Sequence, residues 1–164
     1  TVLYRPPKQA WLRPIVEAGR GASLKLAPAD LGGVRTLMKA LRRKEAIGLL
    51  PDQVPGNGEG IWAPFFGRPA YTMTLAARLA EGGATILLAH AERLAYGAGY
   101  HLTMQALDEP LADTLEARVA QFNLAMERLI HTNPGQYLWG YNRYKSPTGS
   151  AAPEAQIPAD GTLT

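Results

Sequence analysis

Few residues in this chain have types and spacings that could do chemistry, and most can be set aside quickly. His90, His101 and His131 lie far apart without metal-ligand spacing, so they read as two strand or strand-end residues and one favourable cation near a helix C-terminus. Ser23, Ser146 and Ser150 sit in no Gly-x-Ser-x-Gly elbow, which argues against a serine hydrolase. The run "GNGEG" has the wrong spacing for a dinucleotide site, and "IWAPFF" follows it where a phosphate-holding helix would have to begin. With no cysteine, disulfides, thiolate nucleophiles and zinc-thiolate centres are excluded. What remains is "LPDQ" at 50–53, an acid and an amide at the end of an apolar run, followed by a glycine-rich segment and two adjacent phenylalanines.

Those residues need elements to hold them. A chain of 164 residues suits one ordinary domain with a real core. "TVLYRPP" reads as a strand stopped by prolines, 8–20 as a helix, and "ASLKLA" as a strand. Pro28 and Asp30 open a helix predicted to reach Lys44, with Leu31, Val34, Leu37, Met38 and Leu41 on one buried face. Arg35, Lys39, Arg42, Arg43 and Lys44 form a basic stripe opposite that face, read as solvated surface or as a contact for anionic lipid or an acidic partner. "AIGLLP" at 46–51 is expected to be a buried strand. "PAYTMTLAARLAEGG" is expected to be a helix opened by its proline and closed by its glycines. "ATILLAH" and "YHLTMQAL" read as strands joined through "GAG". The last helix, about 112–132, carries Leu115, Val119, Phe122, Met126 and Leu129 as a core stripe, and Pro134 and Gly135 stop it. The alternation predicts an α/β fold, a mostly parallel or mixed sheet flanked by helices, over 1–145. Residues 146–164 lack periodicity and are predicted to be a disordered tail.

No apolar run approaches the roughly 20 residues that span a bilayer. The excess of 17 Lys plus Arg over 14 Asp plus Glu, net +3, suits anionic lipid, nucleic acid or an acidic protein without choosing among them. No metal or cofactor is expected. The first residue is Thr1, within a strand-like run that no turn or cap precedes, so the polypeptide is expected to be cut from something longer and incomplete at its N-terminus.

Four segments carry a resemblance: "YRPPK" at 4–8, "LLPDQ" at 49–53, "FFGRPAYT" at 65–72 and "NPGQYLWGYNRYK" at 133–145. In order and spacing they resemble the bacterial lipid A biosynthesis lauroyl/myristoyl acyltransferases, of the lysophospholipid acyltransferase superfamily. The resemblance implies a glycerol-phosphate-acyltransferase-like fold. It also implies transfer of a fatty acyl chain from acyl carrier protein to a hydroxyl of a lipid A precursor, at the cytoplasmic face of the inner membrane, with an anionic membrane surface as partner and no nucleic acid. Such chemistry needs a base, a group to orient it and oxyanion donors. The family supplies base and orienter as His-x4-Asp or His-x4-Glu, whereas Ala95, Ala106 and Gln136 stand five residues after the three histidines here. The chain is therefore expected to hold substrate without catalytic residues of its own and to be inactive alone. An inactive lipid-binding module of the same fold and a phospholipid-pathway acyltransferase are the alternatives.

By the same resemblance Arg5 and Lys8 serve the anionic head group, a guanidinium suiting phosphate through its fixed fork. Asp52 and Gln53 match the block where other members carry Pro-Glu-Gly. Asp52 would fix an arginine such as Arg5, accept from sugar hydroxyls, or merely cap a turn. Phe65 and Phe66, with Trp62, would line an apolar path for acyl chains or simply pack in the core, and Gly56, Gly58 and Gly60 would let the loop rearrange. Tyr141 and Asn142 replace the family's usual basic pair, and Gly135 stands where Glu is common.

Overall fold

The computed structural model describes residues 1–20 and 23–153. The chain divides into two compact units, Thr1–Leu50 and Pro51–Thr164, which are described in turn. Of the predicted tail, residues 146–153 hold no helix or strand, and 154–164 lie outside the described residues.

The first unit pairs strand β1 (Val2–Tyr4) with β2 (Leu26–Pro28) in parallel, with α1 (Arg13–Gly19) between them and α2 (Leu31–Arg42) after them. Asp30 caps α2 as its sequence implies, its carboxylate accepting from the Gly33 amide at 2.8 Å. The buried face of α2 differs from the predicted stripe. Gly33, Leu37 and Ala40 are buried, whereas Leu31 is 77% exposed and Met38 is 42% exposed. A Cβ on Gly33 would stand 1.7 Å from the Pro28 carbonyl oxygen, so the helix turns back onto β2 too closely for any larger residue. Small residues therefore set this contact, and the leucine period runs off its edge. The predicted strand at 46–51 reduces to one parallel bridge, Gly48 with Val2, because Pro51 ends the segment before a ladder can extend.

The second unit is built on two antiparallel hairpins and a long helix. β3 (Gly60–Phe65) and β4 (Arg68–Met73) are joined by the two residues Phe66 and Gly67, with φ of 46° and 69°. Positive φ at both positions is the primed turn that matches strand twist. This corrects the helix expected from Pro69: Pro64 faces Pro69, and a pair flanking the hydrogen-bonded Phe65–Arg68 closure needs no N–H toward its partner. The helix begins later, as α3 (Leu75–Ala80). β5 (Leu87–Arg93) and β6 (Tyr100–Ala106) form the expected hairpin around "GAG". α4 (Leu115–Thr132) begins at Thr114, whose hydroxyl accepts from the Ala117 amide. Its predicted stripe buries Val119, Phe122 and Met126 against the β3–β4 hairpin and α3.

The chain is thus mixed α/β, as expected. Among the described residues the sheets are small and two-stranded, one parallel and two antiparallel, in place of the one mostly parallel or mixed sheet expected, because each strand pair is closed by a local connection and none is joined to the next by a ladder.

Candidate functional site

The four motifs fall on both units. In the first, Arg5 and Lys8 are exposed just beyond β1. Their neighbour Tyr4 is buried and donates its hydroxyl to Glu17 at 2.6 Å, fixing the strand end to α1. That hydrogen bond, followed by the one from Arg13, holds the Glu17 carboxyl below its ordinary range.

In the second unit Asp52 is half-buried in the turn opened by Pro51, and Gln53 is exposed. Val54 is buried next to them and donates its amide to the Tyr141 hydroxyl at 2.8 Å. Tyr141 thereby ties the turn to the C-terminal aromatic segment. The glycine-rich loop is pinned rather than free. Glu59 accepts from Gly56, and the Tyr71 hydroxyl accepts from Gly58 and Gly60 at 3.1 and 3.3 Å. Gly60 is required by close approach, since a Cβ there would lie 2.6 Å from the Thr72 carbonyl oxygen.

Phe65 is 1% exposed and packs with Ala70 and Met126, so core packing is its first role. Phe66 carries positive φ, which costs an ordinary residue on the order of 1 kcal/mol. It is held there by an amide donated to Glu127 at 2.7 Å, by edge contacts of its ring with Phe65 and His131, and by a tilted contact with Trp139.

One residue of the C-terminal motif that the sequence analysis did not single out is buried in this unit. Arg143 is 3% exposed. It donates through Nη1 to the Tyr71 carbonyl at 2.9 Å, and through Nη2 to the Thr72 hydroxyl at 2.7 Å and the Asn123 carbonyl at 3.3 Å. Its guanidinium lies 5.0 Å over the Phe65 ring. Thr72 and Asn123 are themselves buried, and Asn123 also donates to the Pro64 carbonyl at 2.8 Å. Burial pulls the Arg143 guanidinium below its ordinary value, with Tyr137 and Asp52 opposing. Burial also raises the Tyr137 phenol, and the nearby negative charge of Asp52 adds to that. A cavity of about 130 Å³ lies here, lined by Phe65, Tyr137, Trp139, Tyr141, Arg143 and Tyr144, with Asn142 at its wall.

The sequence contained one usable signal for this network. Asn123 follows Phe122 inside the core stripe of α4, and a buried amide needs polar partners. Asp52, Phe65 and the C-terminal motif are brought into one neighbourhood, whereas Arg5 and Lys8 belong to the other unit.

The arrangement is that of an α/β protein with a half-buried acid, an aromatic wall and a buried arginine on its last motif. Residues 1–146 match the family model described as bacterial lipid A biosynthesis acyltransferase, and the chain belongs to that family. It is 30% identical over 154 residues to the lipid A biosynthesis palmitoleoyltransferase of Escherichia coli K12, covering 91% of this chain and 49% of that protein. The match to the lipid A biosynthesis acyltransferase of Shigella flexneri has the same extent. With the Escherichia coli K12 lauroyltransferase it is 29% identical over 147 residues, 88% of this chain and 48% of that protein. The chain spans about half the length of these curated relatives.

Proposed function

We propose that this chain is the substrate-holding part of an enzyme that moves a fatty acyl chain from acyl carrier protein to a hydroxyl of a lipid A precursor. The family match over 1–146 carries this reading, and the relatives' names supply its acceptor class. The chain's own three histidines lack an acid five residues on, so the base and its orienter must come from outside these residues, and the chain alone is inactive. Arg5 and Lys8, exposed beyond β1, meet the anionic head group of the acceptor. Asp52 and Gln53 accept from and donate to acceptor hydroxyls, on a turn that Tyr141 holds through Val54. Phe66, half-buried, presents the apolar wall along which an acyl chain lies, with Phe65 packed behind it. The work takes place at the cytoplasmic face of the inner membrane. The exposed Arg35, Lys39 and Arg42 of α2 suit its anionic surface, and no helix among the described residues is long and apolar enough to cross it.

The test compares acyl transfer from acyl carrier protein to a lipid A precursor by this chain and by a full-length enzyme that contains it. Turnover is expected only from the latter, and Arg5→Ala or Asp52→Ala in it should lower kcat/KM by about 10²-fold or more while the protein stays folded. Turnover by the chain alone would refute the missing base, and full activity of both variants would refute the assigned contacts.

A further inference from the structure

The two units of the chain carry opposite charge. Thr1–Leu50 holds ten Lys and Arg against three Asp and Glu, a side-chain net of +7, whereas Pro51–Thr164 holds seven against eleven, a net of −4. The modest +3 of the whole chain therefore hides a strongly basic first unit. Within residues 1–29 the one acid is Glu17, and its carboxylate accepts from the Tyr4 hydroxyl and the Arg13 guanidinium. Nothing else in that segment repels an anionic partner.

The same unit leaves an apolar helix face uncovered. A helical turn, Ala10–Leu12, runs directly into α1, and Leu12, Val16 and Glu17 are half-buried along its inner side. Trp11, Pro14, Ile15 and Ala18 are exposed, and their spacing of i, i+3, i+4 and i+7 puts them on one face. Trp11 is 69% exposed and Ile15 63%. Apolar residues at that spacing ordinarily mark the side of a helix that packs, yet here it meets solvent. Trp139, the other exposed tryptophan, is occupied by its ring contacts with Phe66 and Tyr137 and by an indole N–H donated to the Pro134 carbonyl at 2.7 Å. None of the aromatic contacts among the described residues includes Trp11. Arg5 and Lys8 are exposed on the segment leading into the stripe, and on α2 the exposed Leu31, Arg35, Met38 and Arg42 again mix apolar and cationic side chains.

An acidic macromolecule answers the charge alone, whereas an anionic bilayer answers the charge and the stripe together. At the head-group boundary an indole keeps one end wet and the other in hydrocarbon, an isoleucine leaves water, and Lys and Arg reach lipid phosphates with their stems on apolar ground. We propose that the first unit docks on an anionic bilayer through this stripe, with Trp11 and Ile15 inserted at the head-group boundary and the cations of the unit supplying the attraction. This docking rests on the membrane location proposed above for acyl transfer, but vesicle binding needs neither lipid A nor turnover, so the two can fail separately.

The experiment mixes the whole 164-residue chain with vesicles of phosphatidylcholine alone and of equimolar phosphatidylcholine and phosphatidylglycerol. Binding is read by co-sedimentation, and insertion by quenching of tryptophan emission from phosphatidylcholine brominated in its acyl chains. Partition into the anionic vesicles is expected to exceed that into neutral ones by about tenfold or more. Trp11→Phe should bind but lose most of the quenching, and Trp139→Phe should keep it. Trp11→Ser combined with Ile15→Ser should lower partition about tenfold or more with the circular dichroism spectrum unchanged, since both side chains are exposed. Should the double variant fail to fold, the quenching difference still decides. No partition, equal partition into neutral vesicles, or quenching undiminished in Trp11→Phe overturns the proposal. So does protection of Trp11 from acrylamide in a full-length enzyme without vesicles, which assigns the stripe to an internal contact. Binding of apo acyl carrier protein that the double variant loses, with no vesicle binding, assigns it to an acidic protein and overturns the proposal as well.

Discussion

Thr72→Val tests whether the Arg143 network is a dry interior feature, and its size can be worked from the contacts. Thr72 is 2% exposed, and valine keeps its shape while removing the hydroxyl. That oxygen accepts from Arg143 Nη2 at 2.7 Å and from Asn123 Nδ2 at 3.1 Å, and it donates to the Ala70 carbonyl at 3.0 Å. The bond to the guanidinium contributes about 1.5–3 kcal/mol and the neutral ones about 0.5–1.5 kcal/mol each, but Tyr71 and Asn123 still hold the arginine. A net loss of about 3 kcal/mol is expected. Urea unfolding measures it directly as a fall in the midpoint with the slope unchanged. Thr132→Val is the control, because its hydroxyl bonds the Leu129 carbonyl on an exposed helix end and should change stability by no more than about 0.5 kcal/mol. A Thr72→Val loss below about 1 kcal/mol would mean that water replaces the hydroxyl and that the Arg143 network is not dry.

Two further predictions concern the first unit. Gly33→Ala should destabilise it by on the order of 3 kcal/mol, since the new methyl meets the Pro28 carbonyl, whereas Gly19→Ala, whose methyl would meet nothing within 4 Å, should be tolerated; hydrogen exchange at the β1 amides separates the two. The depressed Glu17 carboxyl stabilises the folded state above the unfolded-state carboxylate value, and that contribution is lost as pH falls through the lower folded value. Glu17→Gln should therefore flatten the acid limb of stability against pH, and an unchanged limb would show that the Tyr4 and Arg13 contacts do not persist in solution.

The sequence alone determined a good deal of this protein. Asp30 with its cap, the core stripe of α4, the hairpin around "GAG" and the family motifs were legible, because each rests on neighbours within a few residues or on a fixed order of short segments. The β3–β4 hairpin was hidden because Phe66 occupies a turn position that Asn or Asp usually fills, and the contacts that hold it there, Glu127 and the rings of His131 and Trp139, lie 61 to 73 residues away. Tertiary structure also decided the burial of Arg143. In sequence it is one more cation in an aromatic, basic segment. It becomes an interior charge only when β4 and α4 bring Tyr71, Thr72 and Asn123 around it. Local pattern fixes which face of an element is apolar, while the environment of a charge depends on which distant polar atoms the packing delivers.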